Sequence, residues 1–410
     1  MMIPRLFAGP DIAAGWENLA DHQSRLGPLP RGGSELIDTL ERSGLLGRGG
    51  AAFPVGLKWR SVARRSGGSA VVLANGAEGE PLSWKDRLLM AARPHLVLDG
   101  AFLAAATVGA DQVVLYVSRQ HEAASAAMAG ALSERPAAQR QRARIVASPA
   151  RYVAGEETAA VHFVDARAAL PTAVPPRPFE RGVGGRPTLV QNVESLAHAA
   201  LIARFGDEWY RSAGRAGGAG TLLVTVSGAV RSAGVIEVEA GTSVGEVIEV
   251  GGGTLGRLRA VLLGGYFGSW LDADQAWHLP LDAAALAAHC ASLGCGVVAA
   301  MSSDSCGACE SAKIMGYLAG ESASQCGPCF FGLRALADAC DRLTQGRGHS
   351  EDLDRLHRWT NEVQGRGACR HPDGAAALVA SSLRVFSAEL DRHLHRRRCT
   401  GNGRTVIQLP

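Results

Sequence analysis

Three kinds of residue in this chain could do chemistry: thiols near the C-terminal end, and glycines and paired carboxylates in the N-terminal half. Cys326-Gly-Pro-Cys329, with Cys369 forty positions later, sets a short C-x2-C pair against a distant third thiol. That spacing suits an iron–sulfur cluster, whose thiolates converge on iron from a loop and a separate helix end. Ser305-Cys306-Gly307-Ala308-Cys309 lies just upstream. Zinc held by the two C-x2-C pairs is the competing reading. Gly44–Trp59 (GLLGRGGAAFPVGLKW) packs four glycines into seven residues and places Lys58 eight positions after the last. Glycine lets backbone N–H groups approach a phosphate closely, and a lysine supplies the counter-charge. The spacing is that of neither a P-loop nor a dinucleotide fingerprint.

Three further segments carry polar groups. Val71–Arg87 (VVLANGAEGEPLSWKDR) runs off an apolar stretch into Asn75, Glu78 and Glu80; Ala150–Ala160 (ARYVAGEETAA) sets Glu156 and Glu157 after Tyr152 and Gly155; Gly185–Glu194 (GRPTLVQNVE) presents Gln191 and Asn192 before a helix. Adjacent carboxylates are costly to bury without donors, and ribityl or ribose hydroxyls are suitable ones. Taken singly, each pair reads equally well as a helix cap or a solvated turn. Only three of the 42 basic residues are lysines, namely Lys58, Lys85 and Lys313. Arginine fills nearly every other cationic position, so each lysine is a candidate for a place that needs a compact ammonium.

The elements that must position these residues follow from periodicity. Ala70–Ala74, Asp111–Ser118 and Arg144–Ala147 read as strands, alternating with helical patterns over Leu88–Gly100 and onward and over Glu122–Leu132. This alternation predicts an α/β domain with a mostly parallel sheet, whose ligands bind at the carboxyl ends of strands. The glycine-rich Ala213–Gly220 marks a break, after which Thr221–Ser227, Gly234–Val238 and Arg259–Gly265 read as strands and Thr242–Val250 as a short helix. Beyond Met301 the pattern predicts a helical bundle over Glu310–Leu318, Phe331–Leu343, Ser350–Gln364 and Gly374–Leu394. The expected division is a surface lead-in at 1–40, a nucleotide-binding α/β domain at 41–218, a small β-rich insert at 219–300 and a helical domain at 301–410.

The 410 residues carry 42 basic and 39 acidic side chains. Such near-cancellation excludes a nucleic-acid arm or an acidic tail as the main business. The N-terminus lacks the apolar core of a signal peptide, and the longest apolar stretch, near Gly100–Ala110, is too short to span a bilayer, so a soluble cytoplasmic protein is expected. Nine cysteines in that setting point to metal or redox chemistry before disulfides.

In their order, GRGGAAFPVGLKW, NGAEGEP with KDR, YVAGEETA and GRPTLVQNVES resemble the FMN- and NADH-binding flavoprotein subunit of respiratory complex I and of related hydrogenases and formate dehydrogenases. The resemblance covers roughly residues 44 to 385. It implies a modified nucleotide-binding fold, a β-grasp (SLBB-like) insert over about 221–250 and a C-terminal bundle carrying an iron–sulfur cluster. It assigns Gly47, Gly49, Gly50 and Lys58 to the flavin phosphate and ribityl chain. Asn75, Glu78, Tyr152, Gly155, Glu156, Gln191, Asn192 and Ser195 match flavin-region positions. Glu80 and Glu157 match positions near the nicotinamide nucleotide, and Phe53 an adenine-packing aromatic. Cys326, Cys329 and Cys369 match three of four ligands of a [4Fe–4S] cluster.

Departures from the family pattern fall mostly on the NADH side. Ala77 replaces an aspartate, Gln191 an asparagine and Ser61 an aromatic; Val174 and Arg177 stand where a lysine and a phenylalanine flank the Pro-Pro pair. The first cluster cysteine is Ala323. Either Cys306 completes the cluster, with Cys340 and His371 as weaker candidates, or three thiolates hold a [3Fe–4S] form. Cys290, Cys295 and Cys399 read as ordinary buried or surface thiols. The implied activity is transfer of electrons from NADH through FMN to the cluster. A small iron–sulfur or ferredoxin-like protein is the expected partner, within an assembly that could be membrane-associated. The alternative is a noncatalytic or ferredoxin-linked subunit that has lost NADH binding.

Overall fold

A computed structural model describes residues 4–395 together with 399, 401 and 407. The chain divides into two compact units. One holds the residues up to Gly79, Trp84–Leu223 and Glu237–Gly241; the other holds Glu80–Ser83, Val224–Ile236 and the residues from Thr242 onward.

The first unit is built on a four-stranded sheet of β1 (Ala70–Gly76), β2 (Ala110–Ser118), β3 (Ala143–Ser148) and β4 (Thr188–Asn192), in the order β3-β2-β1-β4. Every pairing is parallel. β1 is apolar along nearly its whole length, as a strand covered on both faces must be. The chain winds from β1 outward to β3 and then returns to β4 on the other side of β1. The winding direction therefore reverses between β1 and β4, the kind of crevice where open α/β sheets bind ligands. Val71, Leu73, Val114, Tyr116, Val146 and Val190 form the core against Ala160 and Val164 of the helix Glu157–Ala166.

The helix Pro94–Val108 is buried along almost its entire length and packs on the helix Val193–Arg211. Gly100 makes that approach feasible, since a Cβ there would lie 2.1 Å from the Leu196 carbonyl oxygen. The stretch read as a surface lead-in instead contains the helices Leu19–Leu26 and Ser34–Ser43 and buries Leu6, Leu36, Ile37 and Leu40. Leu36, Ile37 and Leu40 do recur at helical spacing, but over only the ten residues of Ser34–Ser43, too short a run to stand out in the sequence.

A mixed sheet, most of it in the second unit, is made of β5 (Thr221–Gly228), β6 (Gly234–Glu239), β7 (Leu258–Leu263), β8 (Ser269–Asp272) and β9 (Val297–Ser302), in the order β6-β5-β9-β7-β8. β9 runs parallel to β5 and antiparallel to β7. The short helix Val244–Val250 opens with a Ser243–Glu246 capping box. After β9 come the helices Gly307–Gly320, Leu333–Thr344, Ser350–Val363, His371–Val385 and Ser387–Leu394. Among the described residues no single helix is long and apolar enough to cross a membrane.

Candidate functional site

In the first unit the glycine loop is closed at its base by antiparallel bridging of Leu46 with Pro54 and by the Gly47 N–H donating to the Phe53 carbonyl at 2.9 Å. It then feeds the helix Val55–Ala63. The loop is held over the start of the helix Val193–Arg211 by the Arg48 N–H, which donates to Ser195 Oγ at 2.9 Å. Gly49 faces the same helix start, and a Cβ there would approach Asn192 Cβ at 3.2 Å. Gly50 lies at φ +107°, a conformation that side chains resist. The glycines thus let a tight loop lie down beside the carboxyl end of β4.

β1 and β4 end in register, with Asn75 opposite Asn192 and Ala74 opposite Gln191. Asn75 donates from Nδ2 to the Gly155 carbonyl at 2.9 Å, tying β1 to the Tyr152–Gly155 turn. Gly79 packs against the same turn, 2.7 Å from Tyr152 O for a hypothetical Cβ. Gly155 itself has open space before it, with nothing nearer than Ala77 Cβ at 3.8 Å. Gln191 is buried and its Oε1 lacks a hydrogen-bond partner.

The carboxylates divide by job. Glu156 caps the helix Glu157–Ala166, accepting from the Thr158 and Ala159 N–H groups and from Thr158 Oγ1. Burial pushes its pKa up, with Thr158 opposing. Glu78 accepts from the Asp86 and Arg87 N–H groups and pairs with the Arg87 guanidinium, so it anchors the helix Lys85–Ala92. Glu157 is the accessible carboxylate of this unit's motifs. Its Oε2 lies 3.0 Å from Lys58 Nζ and its Oε1 3.9 Å from Arg177 Nη1. Phe53 is half exposed at the loop's tip. Glu80 belongs to the second unit, where its buried carboxylate accepts from the Leu82 and Tyr266 N–H groups.

Beneath the loop lies a charge cluster that the sequence did not single out as a unit. Lys85 is buried and its Nζ sits 2.7 Å from Asp86 Oδ1 and 2.8 Å from Glu194 Oε2. Asn192 caps its own helix through Oδ1 and donates from Nδ2 to Asp86 Oδ2 at 2.7 Å. Burial pushes the Asp86 pKa up to about 7, against the pull of Lys85. Burial also opposes ionisation of Glu194, yet Lys85, His198 and Arg48 overcome it and hold the group down at about 2. The lysine scarcity was the available signal for Lys85, whereas its second partner is remote in sequence.

In the second unit, Cys326, Cys329 and Cys369 come together: burial first, then the Cys326 and Cys369 thiols, push Cys329 up to about 12. A thiol held up in this way would ionise on binding a cation. Cys306, the expected fourth ligand, groups with Cys309, His393 and Cys399. Cys309 also lies within a helix that begins at Gly307, not after Cys309 as the sequence suggested. Cys340 is buried in the helix Leu333–Thr344, and His371 Nε2 lies 2.7 Å from the Leu318 carbonyl oxygen.

The residues present therefore fit a flavin phosphate and ribityl chain: a glycine loop at a sheet's reversal point, an orphaned buried amide oxygen, an open face at Gly155 and an accessible lysine. The three grouped thiols fit an iron–sulfur cluster with one ligand position left to another group.

Comparison with known proteins agrees with this geometry. Residues 40–200 match the Nuo51 FMN-binding domain, 223–264 the SLBB domain and 310–393 the iron–sulfur binding region of NADH-ubiquinone oxidoreductase F. The F 2 polypeptide of the NADH-quinone oxidoreductase of Rhizobium meliloti (strain 1021) is 31% identical over 89% of this chain and 90% of its own length. The NADP-reducing hydrogenase component HndC of Solidesulfovibrio fructosivorans is 28% identical over 91% of this chain and 79% of its own. A crystal structure of NAD+-reducing [NiFe]-hydrogenase in the H2-reduced state superposes with a TM-score of 0.79 at 30% identity. That match covers 88% of this chain, which spans 62% of the hydrogenase chain.

Proposed function

Because the chain belongs to the NADH-quinone oxidoreductase F family, we propose that it is the flavin-bearing electron-transfer component of a larger redox complex. It takes an electron pair from a reduced nicotinamide nucleotide and delivers single electrons to an iron–sulfur cluster. The observation that carries this reading is the convergence of the Gly47–Gly50 loop, Asn75, Gly155, Gln191 and Asn192 on the reversal point between β1 and β4.

FMN supplies the exchange between two-electron and one-electron chemistry, and the protein supplies position and electrostatics. Gly47, Gly49 and Gly50 bring backbone N–H groups to the phosphate, and Lys58 neutralises it. Gln191 Oε1, unpartnered in the protein, would accept from a ribityl hydroxyl, and Tyr152 and Gly155 would border the ring. Glu156, Glu78, Asn192 and Ser195 keep the loops in place through the caps and bonds they make. Glu157 orients the nicotinamide donor, and we assign Glu80 to the same task. Phe53 offers its exposed ring to the adenine. Cys326, Cys329 and Cys369 hold the cluster.

The division into 41–218, 219–300 and 301–410 is retained within this proposal, supported by the three matched ranges, while residues 1–40 pack as helices in the first unit. The electron acceptor is a small iron–sulfur protein in a complex. The exposed pair Phe330 and Phe331, directly after Cys329, supports a docking face for it. The reading puts the chain in the cytoplasm.

One observation favours the ferredoxin-linked alternative: Glu157 already has Lys58 and Arg177 as partners, so it offers the donor a neutralised carboxylate. Anaerobic stopped-flow mixing with NADH separates the two readings. We expect the flavin absorbance to bleach. A flavin that stays oxidised with NADH, yet bleaches with dithionite or reduced ferredoxin, would overturn nicotinamide as the donor.

A further inference from the structure

The C-terminal helices gather a second set of soft ligands that the electron path does not use. Cys306 immediately precedes the helix Gly307–Gly320, Cys309 lies in its first turn, and His393 sits in the last turn of Ser387–Leu394. Cys399 comes from the segment beyond. One donor atom from each of the four lies within 4.8 Å of every other. We propose that Cys306, Cys309, His393 and Cys399 form a structural zinc site, separate from the iron–sulfur centre, that fastens the C-terminal segment to the helical bundle.

The distances decide for a single ion. Ligands about 2.3 Å (sulfur) and about 2.0 Å (nitrogen) from a tetrahedral zinc stand about 3.8 Å apart for two sulfurs and about 3.5 Å for sulfur and nitrogen. The structure has Cys309 Sγ 3.9 Å from Cys399 Sγ, and His393 Nε2 3.4 Å from Cys306 Sγ and 3.6 Å from Cys309 Sγ. The thiolates of a [4Fe–4S] cluster each bind a different iron and so stand farther apart than ligands sharing one ion. Three thiolates and an imidazole, with no fifth position, make the closed donor set of structural zinc.

The surroundings orient these ligands as outer-shell groups do at metal sites. Glu389, one turn before His393 on the same helix, accepts from the Gly307 N–H at 2.6 Å and from the Ala308 N–H at 3.4 Å. It thereby locks the helix start that carries Cys306 and Cys309 against the helix that carries His393. Gly307 is required for that approach, since a Cβ would lie 2.2 Å from the Phe386 ring. The Gly401 N–H donates to Cys399 Sγ at 3.4 Å. Cys306, Cys309 and Cys399 all lie outside the 310–393 range of the family's iron–sulfur region.

The test is metal and flavin counting on the full-length chain, purified without added zinc under anaerobic conditions. We expect one zinc per chain, with a zinc-edge X-ray absorption spectrum of three sulfurs and one nitrogen. Cys309→Ser and Cys399→Ser should each reduce zinc at least fivefold while iron and flavin stay unchanged. Cys326→Ser should do the reverse. His393→Cys should retain zinc in an all-sulfur shell, which separates lost ligation from misfolding. Absence of zinc from the unsubstituted chain would overturn the site. So would zinc that survives the Cys309→Ser/Cys399→Ser double variant, iron lost from either serine variant, or a Cys309–Cys399 disulfide in the anaerobic protein. Zinc is counted independently of flavin and iron, so failure of the electron-transfer reading leaves this result intact.

Discussion

Lys85 shows how one side chain can set the electrostatics under a cofactor loop. Its ammonium is fully buried between Asp86 and Glu194, and Asn192 joins the group while capping the helix beside the glycine loop. Removing one partner of such a cluster strands charges in the interior, at a cost of about 3–5 kcal/mol. Lys85→Met should therefore destabilise the first unit by about that amount at pH 7. In the unsubstituted protein Glu194 titrates at about 2, below its ordinary 4.5. Its contribution is fully present above the unfolded value and is lost as pH falls through the folded value, because the unfolded chain takes up the proton first. In Lys85→Met the stranded carboxylates titrate upward instead, so the deficit should narrow from pH 7 to pH 5. Urea denaturation at the two pH values checks this, and an equal deficit at both would contradict it. The scarcity of lysine marked Lys85, but Glu194 lies too far along the chain for any local pattern to pair them.

The glycine loop works as an element because it can lie close to the start of Val193–Arg211. Gly49→Val would place branched carbons against Asn192, where even a Cβ comes to 3.2 Å, and would push the loop from Ser195. We expect FMN affinity to fall at least tenfold while the unfolding midpoint changes little, read by fluorescence titration of the flavin-free protein. Unchanged affinity would contradict the placement of the phosphate. The parallel strands were legible because β1 and β2 are continuous apolar runs between turn residues. β8 was not, being four residues long with its partner strand set by tertiary pairing. The start of Gly307–Gly320 was misread for a local reason. Cys306 at its N-cap makes no side-chain capping bond, and the first N–H groups go to the distant Glu389. A helix capped from another helix leaves no signature beside its own first residue.

Over the whole chain, the nine cysteines resolve into two ligand groups and three remaining thiols. All nine are free thiols. The Cys326–Cys329 pair was visible from spacing alone. The second group was not, because His393 and Cys399 stand 84 and 90 residues from Cys309. Folding two helix ends together creates that site, so only the structure reveals it. The flavin region was legible further, since two of its four ordered motifs fall at the ends of β1 and β4, which the sheet topology brings side by side. The most direct test of the electron-transfer reading is the flavin and iron content of the anaerobically purified chain, after reconstitution with FMN, iron and sulfide. The prediction is one FMN per chain and three or four acid-labile iron atoms, with the iron lost and the flavin kept in Cys329→Ser. A reconstituted protein that retains neither yellow flavin absorbance nor acid-labile sulfide would contradict it.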